Sequence, residues 1–173
     1  MWKPLAFLAL CVAAFGAENL ARNPSFEADA KKGGVPDEWQ AAGDARLVTQ
    51  SLALDKGRDG KRCAKLACTK FSAGNPAAHA MLCQLGIPIK RGAWYRVSLW
   101  ARGENIESDM VSIAASDTSV WAPCGLQSAF VPTPEWQRFE FAFQGKRALP
   151  SYLQAGPSSV SYTHLTLPTI LRV

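Results

Sequence analysis

The chain has 173 residues, of which 48% are hydrophobic, so it is long enough for one domain with a single core. Its formal net charge is +5, and the basic residues are scattered along the chain without a stripe or an arginine-rich arm. These features predict one folded unit with an ordinary solvated surface and exclude nucleic acid as its partner.

The first predicted element is an export signal over residues 1–17. Lys3 precedes an apolar run from Leu5 to Phe15, and small residues at positions 14, 16 and 17 offer a cleavage site. The run is too short to span a membrane. We therefore expect a protein that is secreted, periplasmic or displayed at the cell surface, with a buried N-terminal helix as the alternative.

Four cysteines remain once this signal is removed: Cys63, Cys68, Cys83 and Cys124. In an oxidising compartment they allow up to two disulfides, in three possible pairings. Buried free thiols are the alternative, and the sequence leaves the choice open. Cys63 and Cys68 lack the C-x-x-C spacing of a zinc ribbon, so no metal is expected on sulfur.

Residues 18–159 read as an all-β domain. Two segments, 94–102 and 136–144, alternate apolar and polar residues with the period of a strand. Shorter strands are predicted at 45–50, 63–69, 78–85 and 110–115, with Gly-, Asn- and Pro-rich turns between them. Short strands at this spacing predict an antiparallel β-sandwich or jelly roll.

Four short motifs occur in order between residues 19 and 145. They are NLARNPSFE (19–27), PDEW (36–39), GAWYRVSLWAR (92–102) and TPEWQRF (133–139). In this order they resemble the landmarks of carbohydrate-binding modules of families 4 and 9. The resemblance implies a jelly roll of the galactose-binding type that binds an oligosaccharide or polysaccharide, or that acts as a structural spacer in a large secreted enzyme.

A glycan site stacks apolar sugar faces on aromatic rings and holds hydroxyls with planar polar groups. If Tyr95, Val97 and Leu99 face the core, the other face of the same strand carries the site. The candidate binding residues are then Trp94, Trp100 and Arg102, with Gln84 on the preceding strand and Trp121 at the rim. The reversed assignment would bury Trp100 and expose Tyr95.

The family framework places two further tryptophans, Trp39 and Trp136, as core anchors. No catalytic motif stands out, so we predict no catalytic residues in this chain.

The resemblance also implies a structural calcium bound in part by Glu27. Calcium needs several oxygen ligands, and one glutamate is not a site. Related modules supply an Asp-Asp pair from a closing strand, which this sequence does not show. A solvated charge at a strand end is the alternative reading of Glu27.

The last fourteen residues, 160–173, differ in character from the chain before them. The segment VSYTHLTLPT (160–169) resembles the third-frame translation of a transposon-based sequencing adapter. We interpret residues 160–173 as an artefactual tail. On this interpretation the domain lacks its last strand, and we expect that truncation has removed a covalently attached catalytic domain. Without Lys3 and Arg172, 17 basic residues remain against 14 acidic ones, a net charge of +3.

Two hypotheses follow for the function. The first is a secreted, non-catalytic carbohydrate-binding module, the N-terminal part of a larger glycoside hydrolase. The second is a structural or adhesive β-sandwich domain of a secreted or cell-surface protein, with no glycan site.

Overall fold

The computed structural model describes residues 18–75, 77–106, 110–146, 149–157 and 161–172, with side chains described only as far as residue 146. The predicted signal at 1–17 lies outside this part of the chain. The strands are β1 Gln40–Ala42, β2 Val48–Lys56, β3 Arg62–Phe71, β4 Met81–Ile89, β5 Trp94–Glu104, β6 Val111–Asp117, β7 Pro123–Phe130, β8 Gln137–Gln144, β9 Leu149–Pro157 and β10 Ser161–Arg172. A short 3-10 turn, Arg58–Gly60, joins β2 to β3.

The strands form two antiparallel five-stranded sheets. The front sheet has the order β2-β3-β10-β5-β8, and the back sheet has the order β1-β4-β9-β6-β7. The all-β fold predicted from the strand spacing is therefore confirmed.

The core lies between the two sheets and follows from the alternation in β5. Tyr95, Val97, Leu99 and Ala101 are at most 3% exposed and pack into the main hydrophobic cluster. Leu82, Ile87, Val111 and Ile113 of the back sheet join the same cluster. Burial of each large side chain contributes about 1.5–3 kcal/mol. The predicted face assignment of β5 is confirmed, so its polar residues lie on the outer face of the front sheet.

The NPSF motif near the N-terminus forms a structural turn. The Asn23 side-chain amide donates to the carbonyls of Ala28 and Asp37, and its oxygen accepts from the Ala28 N–H. The turn places Phe26, which is fully buried, against the Trp39 ring at 5.2 Å between ring centroids. The Trp39 indole N–H donates to the carbonyls of Arg22 and Asn23, so the prediction of Trp39 as a core anchor is confirmed.

The segment interpreted as an artefactual tail forms β10 in the centre of the front sheet. In the backbone register, Leu165 pairs with Ala64 of β3 on one side and with Ala101 of β5 on the other. Residues 161–172 thus take a central strand position, between β3 and β5. That an adapter sequence encodes residues 160–173 stays a prediction, since strand pairing does not test it.

Candidate functional site

The outer face of the front sheet carries two pairs of aromatic and guanidinium groups. The Arg58 Cζ lies 3.8 Å from the centroid of the Trp100 ring, and the Arg102 Cζ lies 5.5 Å from the centroid of the Trp136 ring. We call Arg58, Trp100, Arg102 and Trp136 the outer-face cluster. Such cation–π contacts contribute about 0.5–1 kcal/mol each at exposed sites.

Local sequence explains how these four residues meet. Trp100 and Arg102 alternate with the buried Leu99 and Ala101 of β5, so the strand period directs them outward. Arg58 begins the turn between β2 and β3. Trp136 immediately precedes Gln137, which pairs with Ala101.

Ion pairs surround the cluster on the same face. Arg102 pairs with Glu104 at 3.5 Å, and Arg138 pairs with Glu140 at 2.6 Å. These groups are partly exposed, so each pair contributes about 0–1 kcal/mol. The pairs hold planar guanidinium and carboxylate groups on the face that carries the Trp100 and Trp136 rings.

The predicted binding residues do not form one site. Trp100 and Arg102 lie together in the outer-face cluster. Trp94 starts the same strand, six residues and about 20 Å away at the usual strand rise. Trp121 lies in the turn between β6 and β7; Trp94 and Trp121 are 54% and 66% exposed.

Gln84 lies in the back sheet, whereas Trp94, Trp100 and Arg102 lie in the front sheet. It is fully buried, and its amide oxygen accepts from the Arg22 N–H at 2.8 Å. Its amide nitrogen donates to the Arg22 carbonyl at 2.7 Å. The side chain therefore anchors the N-terminal segment to β4, and the structure does not bring it together with Trp100 and Arg102.

Two members of the outer-face cluster were not predicted. Trp136 was expected in the core, and that expectation is wrong: it is partly buried beside Arg102 and does not join the main core cluster. Its position directly before an alternating strand whose Phe139 and Phe141 pack on the core could have indicated the outer side. Arg58 comes from a turn, for which strand periodicity carries no signal.

The carboxylate of Glu27, the predicted calcium ligand, binds Arg62. The carboxylate accepts from the Arg62 N–H at 2.9 Å and lies 3.9 Å from the Arg62 guanidinium. The described residues contain no group of three His, Cys, Asp or Glu side chains placed to hold a metal ion. This arrangement fits calcium poorly, since the cation needs several oxygens and Arg62 competes with it for the carboxylate.

Cys63, Cys68, Cys83 and Cys124 are buried, and no disulfide joins them in the part of the chain that the structure describes. Burial, and after it the negative charge of Asp55, raises the pKa of the Cys63 thiol from 9.0 to about 11. Burial also raises the pKa of Cys83. Thiols in such surroundings stay protonated and react slowly.

Comparisons with known proteins assign this fold to a class. Residues 18–151 match the family described as "Carbohydrate binding domain". A CBM4 structure is similar with a TM-score of 0.65 and 16% identity, covering 88% of this chain and 99% of that one. No curated protein sequence matched the chain.

Two further solved structures have the same fold. The xylan-binding CBM22-1 domain of Paenibacillus barcinonensis Xyn10C has a TM-score of 0.60 and 12% identity, covering 91% of this chain and 96% of that one. A family 11 carbohydrate-binding module from a cellulosomal cellulase of Clostridium thermocellum has a TM-score of 0.59 and 12% identity, covering 93% and 97%.

The fold and the family match thus define a β-sandwich of the carbohydrate-binding class. Because the family match spans well over half of the chain, the chain belongs to the carbohydrate-binding domain family of the 4 and 9 type. None of the helices in the described part of the chain is long and apolar enough to cross a membrane.

Proposed function

We propose that this domain is a secreted, non-catalytic module that binds a polysaccharide on the outer face of its front sheet and directs an attached glycoside hydrolase to it. The observation that carries the proposal is the outer-face cluster, where Trp100 and Arg102 lie beside Arg58 and Trp136. The family match and the likeness to glycan-binding modules support it.

The binding step follows from the physics of sugar rings. The apolar face of a pyranose ring packs on the Trp100 indole, and Arg102 and Arg138 donate hydrogen bonds to hydroxyl oxygens. Arg58 covers the Trp100 ring in the free protein, so the sugar has to displace the Arg58 guanidinium. Trp100, Arg102 and Arg138, which would contact the sugar, are held on strands, and this lowers the entropy lost on binding.

Binding of this kind directs an attached enzyme to its substrate. A module that holds its catalytic partner near an insoluble polymer raises the local concentration of enzyme without any new catalytic contact. The predicted export signal and the predicted loss of a downstream catalytic domain belong to this proposal. Re-sequencing of the source DNA past codon 159 tests the predicted loss of a catalytic domain. An open reading frame that continues into a catalytic domain supports this loss, whereas DNA that encodes residues 160–173 followed by a stop codon contradicts it.

Binding itself is tested by affinity electrophoresis and calorimetry against neutral polysaccharides such as xylan, β-1,4-galactan and mixed-linkage glucan. We expect at least one ligand to bind, with Trp100→Ala weakening it at least 10-fold. Leu85→Ala is the matched control, because Leu85 is a 47% exposed apolar residue of the back sheet. A folded protein that binds none of the panel would favour the structural or adhesive domain.

A further inference from the structure

A second surface lies at one end of the sandwich, away from the outer-face cluster. There the β4–β5 turn meets the end of β8, with the Gly92 N–H donating to Gly145 O at 2.7 Å and the Gly145 N–H donating to Ala93 O at 2.8 Å. The Lys146 N–H donates to Cys124 O at 2.9 Å, which joins the start of β7 to the same place. We call this the end surface.

Two exposed tryptophans belong to the end surface. Trp94 begins β5, opposite Gln144 of β8. Trp121 lies in the β6–β7 turn, close to β7, and the neighbouring Val120 is also exposed. The end surface therefore presents large apolar groups that the core does not use.

The turn that carries Trp121 is held in a costly conformation. The φ angle of Trp121 is +56°, a region that bulky residues adopt at a cost of about 1–3 kcal/mol. The Trp121 N–H donates to Asp117 O at 2.8 Å, and the buried Asp117 carboxylate accepts from the Ser119 N–H at 2.8 Å and from its hydroxyl at 2.6 Å. A strained backbone that displays a 66% exposed indole indicates a binding role more than a folding one.

Positive charge lies at the same end of the sandwich. Lys90 and Arg91 in the β4–β5 turn and Lys146 after β8 are exposed, and none of them forms an ion pair with the residues that the structure describes. Asp117, the carboxylate of the Trp121 turn, is 1% exposed. The end surface therefore attracts an anion, and its aromatic rings suit the apolar face of a sugar.

We propose that the end surface binds an acidic glycan, a polymer bearing carboxylate or sulfate groups. Sugar rings stack on Trp94 and Trp121, and the acidic groups are neutralised by Lys90, Arg91 and Lys146. The Gln144 amide, which donates to Gly92 O at 3.0 Å, stands opposite Trp94 as a planar partner for sugar hydroxyls. This inference uses the sugar-binding character of the proposed function but a different surface, so either can fail alone.

The test measures binding of the full chain to polygalacturonate, to chondroitin sulfate and to the neutral polysaccharides, at low and high salt. We expect the protein to bind one of the two acidic polymers, with an affinity that falls steeply as salt rises. The double variant R91E/K146E should lose at least 10-fold in that affinity. The control K31E/K70E changes the charge equally at two other exposed positions, Lys31 in a turn and Lys70 near the end of β3, and should lose less than 2-fold.

A second variant separates stacking from charge. Trp121→Ala should weaken the acidic polymer at least 5-fold and leave neutral-glycan binding and the melting temperature unchanged. Binding to neither acidic polymer overturns the inference, even where neutral glycans bind and the proposed function stands. Equal losses for R91E/K146E and K31E/K70E also overturn it, as does binding to vesicles of anionic lipid without binding to either acidic polymer.

Discussion

The buried amide of Gln84 provides a quantitative test of how the N-terminal segment is held. Gln84→Ala removes the partner of both the N–H and the carbonyl of Arg22. An unsatisfied buried polar group costs about 1–3 kcal/mol, and the deleted side chain leaves a cavity as well. We expect the free energy of unfolding to fall by about 3–5 kcal/mol, a large share of the total for a domain of this size.

Urea denaturation and thermal melting measure this loss directly. At roughly 2–4 °C per kcal/mol, the melting temperature should fall by about 10 °C. Gln127→Ala is the matched control, since Gln127 is an exposed glutamine of the same sheet and should change stability by less than about 0.5 kcal/mol. Glycan affinity, measured where both proteins are folded, should be unchanged in Gln84→Ala.

The Glu substitution adds a pH test. Gln84→Glu places an acceptor against the Arg22 carbonyl, so the folded state favours the protonated acid and raises its pKa. Its stability should therefore decline as pH rises above the unfolded value of about 4.3. A Gln84→Ala protein that is as stable as the wild type but has lost glycan affinity would refute the structural role and make Gln84 a ligand contact.

Three further results are expected. Arg58→Ala should bind the neutral glycan about 2- to 5-fold more tightly in calorimetry, because no cation has to leave the Trp100 ring; weaker binding would show that Arg58 contacts the sugar. The pKa of the Cys63 thiol is raised from 9.0 to about 11, so the protonated thiol stabilises the fold below pH 9 and this effect is lost as the pH rises to 11. Cys63→Ala should therefore flatten the decline of the free energy of unfolding in urea between pH 9 and pH 11. An unchanged slope would contradict the raised pKa of Cys63. Gly125→Ala should lower the melting temperature strongly, since Gly125 has a φ of +126° and its new Cβ would strike the Gln144 carbonyl. The control Gly33→Ala should leave the melting temperature unchanged, because the space around Gly33 is open. Equal melting temperatures for the two variants would contradict the predicted clash at Gly125.

Alternation made the front sheet predictable. The period-two pattern in β5 placed Tyr95 and Val97 in the core and Trp100 and Arg102 outside, because one face of a packed sheet has to be apolar. The same reasoning could not place Gln84, since a buried glutamine is stabilised by backbone partners far away in sequence. Those partners, at Arg22, become visible only once the chain has folded.

The distribution of the tryptophans shows a second limit. Trp94 and Trp100 share a strand face, so sequence predicted one site, yet strand length separates them by about 20 Å. Trp121 belongs to a turn of the opposite sheet, and its neighbours are set by hydrogen bonds between turns rather than by any periodic pattern. Turn residues such as Arg58 were missed for the same reason.

The most direct test of glycan binding on the front sheet compares the calorimetric affinities of the wild type, Trp100→Ala and Leu85→Ala for the best neutral polysaccharide of the panel. We expect the affinity of Trp100→Ala to fall at least 10-fold, equal to about 1.4 kcal/mol or more, with the affinity of Leu85→Ala unchanged and all three proteins folded at the assay temperature. Unchanged affinity in a folded Trp100→Ala protein would contradict the claim that the outer face of the front sheet is the glycan-binding site.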